Sequence, residues 1–197
     1  MSYLLIREEG GKVTMETVTK TAYRFDELTD YAKEKAISES RDINTDYEWY
    51  DDDYMLELWK EKYGIAFDRS KISFDIDRGS ILYFTRGGIW VENPYKLARA
   101  IYGKGYDIMA KQGWLEFTFD IIHYGGRGCR NTLKVRDNRD SLSKDLPVDA
   151  DEWLKGITED YLSQLRKKYE YLTSDEAVIE TIKVNEYTFT IDGKRGG

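Results

Sequence analysis

The sequence predicts an α+β fold, a largely antiparallel sheet built from hairpins with helices packed on one face. Two observations carry that reading. Runs that alternate apolar and polar residues arrive as neighbours joined by short Gly-containing segments, and longer stretches place apolar residues at helical spacing. The two kinds of segment are not interleaved one for one, as βαβ units would be, so parallel pairing is not expected.

Taken in order, SYLLIRE and KVTMETVTK flank Gly10-Gly11 and read as a hairpin over 2–20, because Gly-Gly supplies the positive φ of a tight turn. Leu28, Ala32 and Ala36 fall at helical spacing, with Asp26 or Thr29 as N-cap, which predicts a helix over about 27–40. Trp49, Leu56 and Tyr63 recur at seven with Met55, Leu58 and Trp59 beside them, predicting a second helix over about 46–63 that stops at Gly64. The two helices form an acidic segment, 26–64. Ile72, Phe74 and Ile76 then alternate with polar residues, and Asp77-Arg78-Gly79-Ser80 turns the chain into a second hairpin. Pro94 and Gly103 bracket a short helix. A third hairpin follows, with Leu115, Phe117, Phe119, Ile121 and His123 on one face and its return at 132–136, closing a sheet region over 71–136. The last region, 149–193, holds an amphipathic helix through Trp153, Ile157, Leu162, Leu165 and Tyr169. After it come a capping box of Thr173 with Glu176, a shorter helix that Asn185 closes in the left-handed conformation, and a strand with Tyr187, Phe189 and Ile191 in alternation.

The whole chain, 1–197, reads as a single compact domain, with a core large enough to bury roughly 70% of the unfolded surface. One cysteine, Cys129, excludes an internal disulfide framework and a cysteine-based zinc cluster, which fits a reducing cytoplasm. No signal peptide is visible, and no apolar run approaches the roughly 20 residues that span a bilayer, so no membrane partner is expected. The net charge of −7 is unevenly spread. Residues 21–70 carry 7 basic and 14 acidic side chains, a net of −7, whereas residues 71–150 carry 13 and 10, a net of +3. A general nucleic-acid binder is therefore disfavoured, while the middle third can still hold a local anion site.

Within the acidic segment lies DINTDYEWYDDDYMLELW, residues 42–59, with seven carboxylates, five aromatic rings and no basic residue. Asp42, Asn44, Asp46 and Asp53 fall at positions 1, 3, 5 and 12 of a calcium loop, but Tyr47 stands where that loop needs glycine, so no metal is expected there. Nor is a cofactor. Catalytic signatures are missing as well: one histidine, His123, sits in an apolar strand face, and Cys129 lies in an open Gly/Arg turn with no second histidine to activate it. Asp75 and Asp77 share a strand face, yet 37 carboxylates make such pairs common by chance. No catalytic residue is assigned, and a small hydrolase without a recognisable motif stands as one alternative.

Two Gly/Arg loops offer another. TRGGIW holds Arg86 and Trp90, and HYGGRGCRN holds Tyr124, Arg127 and Arg130. Glycines let backbone N–H groups approach phosphate, arginine forks match its oxygens, and aromatic rings stack a base, so these five residues are candidates for binding a nucleotide second messenger. The plain reading of each is a hairpin turn made soluble by arginine.

The segments YRFDELTDYAKEKA, DYEWYDDDY and above all YLTSDEAVIETIKVNEYTFTIDGK resemble a family of uncharacterised accessory proteins carried by bacteriophages and prophages. The resemblance implies no activity and no catalytic residues. It does imply a protein working in the host bacterial cytoplasm, of the kind that inhibits a defence system such as CRISPR or restriction. On that expectation the partner is a host protein with a basic surface, one that handles nucleic acid. The interface is the acidic, aromatic surface of Asp46, Tyr47, Glu48, Tyr50, Asp51, Asp52, Asp53, Tyr54 and Glu57, whose field would speed encounter with a basic partner. The plain reading is a solvated helix face that keeps the protein soluble. The residues assign no oligomeric state.

Overall fold

A computed structural model describes residues 2–9, 12–19, 21–50, 53–76, 81–123, 129–138 and 146–196, with 2–19 and His123 described by backbone alone. The fold is α+β. Its elements, in order, are β1 (Ser2–Glu9), β2 (Lys12–Thr19), β3 (Tyr23–Arg24), α1 (Asp30–Glu39), α2 (Asp53–Tyr63), β4 (Ile65–Phe67), β5 (Ile72–Asp75), β6 (Ile81–Phe84) and β7 (Ile89–Val91). There follow α3 (Pro94–Tyr102), α4 (Tyr106–Lys111), β8 (Leu115–His123), β9 (Cys129–Asp137), α5 (Ala150–Leu172), α6 (Asp175–Val184) and β10 (Thr188–Phe189). Among the described residues the strands pair as five separate two-stranded antiparallel ladders. The α+β, largely antiparallel expectation matches, with the strands arranged as several small ladders.

Contacts along the chain divide it into two compact units, residues 1–49 with 169–197 and residues 50–168, where the sequence suggests one domain. In the first unit, β1 pairs with β2 from Ser2 opposite Thr19 to Glu9 opposite Lys12, as alternation predicts; the Gly10-Gly11 turn lies outside the described residues. Thr29 caps α1, its hydroxyl accepting from the Ala32 N–H at 3.3 Å. The buried face of α1, Ala32, Ala36 and Ile37, packs with Phe25, Leu28, Val178, Ile182 and Phe189 into this unit's core. β3 pairs with β10, which joins residues from the two ends of the chain.

Three details at the C-terminal end differ from expectation. Ser174, not Thr173, caps α6 by accepting from the Ala177 N–H at 3.3 Å, while the Thr173 hydroxyl donates back to the Tyr169 carbonyl at 2.8 Å. Asn185 keeps φ −88° with its amide donating to the Thr181 carbonyl at 2.8 Å, and the left-handed step passes to Glu186 at φ 51°. Only Thr188 and Phe189 pair as a strand; a turn closed by Gly193 N–H on the Thr190 carbonyl leaves Ile191 exposed.

The second unit is organised around Trp59, which is 1% exposed. Its ring lies 5.4 Å from Phe67, 5.7 Å from Tyr161 and 5.9 Å from Phe84 in edge-on geometry, which aromatic quadrupoles favour. α3 begins and ends where Pro94 and Gly103 predict; the Asn93 carboxamide accepts from Tyr95 and Lys96 N–H at 3.1 and 3.0 Å. α4 has no counterpart in the sequence reading, since six residues hold too few turns to show a period. β5 pairs with β6 from Ile72 opposite Phe84, and β8 with β9 from Leu115 opposite Asp137 to His123 opposite Cys129. The turn at 77–80 lies outside the described residues.

Asn131 ties these two hairpins together. Its side chain accepts from the Phe84 N–H at 2.6 Å and donates to the Phe84 carbonyl at 2.9 Å, so a buried carboxamide stands in for a neighbouring strand. Removing it leaves two buried backbone groups without partners. Asn131→Ala is expected to lower stability by about 2 kcal/mol, read as an earlier midpoint in urea unfolding; an unchanged midpoint would show that the bridge is not needed.

Candidate binding surface and cleft

The acidic segment does not form the single helix over 46–63 that its apolar spacing predicts. α2 starts at Asp53, and residues 41–47, 49 and 50 are turns or bends. Just before the 46–63 span lies Asn44. It is buried, its amide donating to the Leu172 carbonyl at 2.9 Å and its oxygen accepting from the Thr181 hydroxyl at 2.7 Å. Drawing that side chain inward holds the backbone in short-range turns, with Thr45 N–H on the Asp42 carbonyl at 2.7 Å. The third position of the calcium-like spacing is thus engaged by protein.

The nine candidate interface residues divide accordingly. Asp46, Tyr47 and Glu48 are all exposed and belong to the first unit, Tyr47 at 65%. Tyr50, Asp53, Tyr54 and Glu57 belong to the second, where Tyr54 is 64% exposed and Glu57 is exposed one turn along α2. Asp51 and Asp52 lie outside the described residues. Tyr50 is half-buried, its ring edge-on to Phe74 at 5.2 Å, and Trp49 packs on Tyr169 at 5.5 Å, so these two rings anchor the segment. Arg69 relieves some of the crowding of like charge, reaching Asp53 at 2.7 Å.

The Gly/Arg candidates are dispersed. Thr85 to Gly88 form a tight turn, Gly88 N–H to the Thr85 carbonyl at 2.8 Å, with Gly87 at φ +70°. A Cβ on Gly88 would meet Lys71 Cβ at 2.7 Å and the Thr85 carbonyl at 2.9 Å, so only glycine fits there. Arg86 projects from this turn, exposed. Trp90 lies one residue beyond buried Ile89 on β7 and is 46% exposed, so strand alternation sends it to the opposite side. Arg130 is held at 2.8 Å by Asp151, which also accepts from the Leu133 N–H at 3.3 Å. Tyr124 and Arg127 lie outside the described residues.

The arrangement that sequence reasoning missed is a cleft of about 420 Å³ beside Arg86, lined by Thr85, Gly87, Ile89, Phe119, Ile121 and Asn131, with Asp120 at its edge. Its residues come from three strands and a turn, and no short motif encodes them. Ile89 is buried, and Phe119 and Ile121 are half-buried. Asp120 is taken by Lys134 at 2.8 Å; that hydrogen bond and charge, then the Ile121 N–H, hold its carboxyl below the usual carboxylate range, with a smaller contribution from the nearby Arg86 charge.

Among the described residues, no three or more His, Cys, Asp and Glu side chains converge as a metal-holding group. No helix among them is long and apolar enough to cross a membrane. Compared with protein-family models, with curated proteins and with solved structures, the chain finds no match in any of the three.

Proposed function

We propose that the protein is a non-enzymatic binding protein that engages a basic surface on a partner protein through its acidic, tyrosine-rich residues. The observation that carries this reading is the exposure of Tyr47 beside Asp46 and Glu48, and of Tyr54 beside Glu57. At about two-thirds exposure both rings present most of their surface to solvent. Tyrosine supplies rigid contact area at low entropic cost, and flanking carboxylates draw in a cationic partner and compete for sites that otherwise grip phosphate. The C-terminal motif, with its resemblance to phage-borne accessory proteins, supports a host defence component that handles nucleic acid as that partner, with inhibition as the outcome.

The test uses the full chain as bait in a bacterial lysate, against a bait carrying Tyr47→Ala, Glu48→Lys, Tyr54→Ala and Glu57→Lys. All four positions are exposed, so thermal unfolding is expected to stay within a few degrees of wild type. A nucleic-acid-handling protein retained by wild type, lost by the variant and eluted by moderate salt supports the proposal. Equal retention by both baits places the interface on other residues.

A further inference from the structure

The cleft beside Arg86 has the features of a small-molecule site independent of the acidic surface. Its volume, about 420 Å³, lies within the range typical of ligand pockets. Its walls divide by chemistry. Ile89, Phe119 and Ile121 make an apolar seat with one aromatic face, while the Thr85-Arg86-Gly87 turn makes a polar mouth.

That mouth is positively charged and uncommitted. Arg24, Arg41, Arg69, Arg130 and Arg166 all bond to a carboxylate or a carbonyl, whereas the Arg86 guanidinium makes no hydrogen bond or ion pair among the described residues. Asp120, the carboxylate at the cleft's edge, is already matched by Lys134. The Lys71 ammonium adds a second positive charge, 4.0 Å from where a Cβ on Gly87 would stand, and it reaches its own partner Asp68 only at 3.8 Å. The backbone N–H groups of Arg86 and Gly87 have no acceptor among the described residues, so the turn presents two further donors beside the fork.

From this juxtaposition we infer that the cleft binds a small molecule with a flat ring and a terminal anionic group, the ring seated on Phe119, Ile89 and Ile121 and the anion held by Arg86 and the turn. A guanidinium fork matches the paired oxygens of phosphate or carboxylate, and glycine lets those oxygens approach the main chain. Nucleotides and simple aryl phosphates share this chemistry.

The experiment titrates isotope-labelled full-length protein with adenosine monophosphate, phenyl phosphate, adenosine and inorganic phosphate, following backbone amide shifts. Saturable shifts in Thr85–Ile89 and Phe119–Ile121 with either ring-bearing phosphate are expected. Adenosine, which lacks the anion, and inorganic phosphate, which lacks the ring, are expected to bind at least about tenfold more weakly. Arg86→Gln, an exposed change that leaves thermal unfolding as it was, is expected to weaken the phosphate ligand by about tenfold or more. Response to the adenosine compound alone identifies a nucleotide site, and response to phenyl phosphate alone an aryl-anion site. Three results would overturn the inference: no saturable shift with either ring-bearing phosphate, equal affinity in Arg86→Gln, or inorganic phosphate binding as tightly as the larger ligands.

Discussion

Trp59→Ala is expected to cost about 4 kcal/mol, the range for removing a large aromatic side chain from a packed core. Trp59 is 1% exposed and touches rings from three other elements, Phe67 on β4, Phe84 on β6 and Tyr161 on α5. Phe67 and Phe84 also lie 5.0 Å apart, and Phe67 and Tyr161 5.8 Å apart, so Phe67 links the other two rings beside the indole. Truncation leaves a void that these rings can refill only by shifting from their present positions. Urea unfolding followed by tryptophan fluorescence and circular dichroism checks the size of the loss. Trp59→Phe retains one ring and is expected to cost about half as much; equal losses for the two variants would mean that volume does not govern this site.

The next largest effect is expected at Gly64, between α2 and β4. Its φ is +67°, and a Cβ there would stand 2.3 Å from the Asn93 carbonyl oxygen and 2.9 Å from Lys96 Cβ. Its own carbonyl accepts from both Glu92 and Asn93 N–H at 2.9 Å, so the glycine clamps the start of α3 to the end of α2. Gly64→Ala combines a left-handed penalty of about 1 kcal/mol with a clash of about 2 kcal/mol, a fall of several degrees in melting temperature. Gly113 supplies the control. It has φ +71° and nothing within 4 Å of where an added Cβ would stand, so Gly113→Ala is expected to lose only the conformational part, about 1 kcal/mol. Equal destabilisation by the two substitutions would show that backbone conformation, not the Asn93 contact, sets the requirement.

What is legible in the sequence follows from local physics. Proline at the start and glycine past the end define α3, and strict alternation defines β8 and β9, because these signals act within a few residues. The apolar period of α2 continues back through Trp49 and so predicts too long a helix, while just before it Asn44 is held by Leu172 and Thr181, more than a hundred positions away along the chain. The same holds for the cleft. Arg86 is visible in TRGG as a basic turn, but Phe119, Ile121 and Asn131 come to it only through the register of β8 on β9 and the bridge to Phe84. Composition makes Arg130 a companion for Arg86, yet Asp151 draws it elsewhere.

The division of the chain sets an order of events during synthesis. Residues 50–168 are contiguous, so the second unit can complete its core as soon as its last helix has left the ribosome. The first unit cannot. Phe25, Leu28 and Ala36 wait for Val178, Ile182 and Phe189, and the Lys35 to Asp192 contact spans 157 positions. Until those late residues emerge, the apolar face of α1 has no lid, and this nascent half is the part most in need of a chaperone's protection. Folding the inner unit first replaces a long open loop between the two outer pieces with a shorter one, reducing the entropy lost when the ends finally meet.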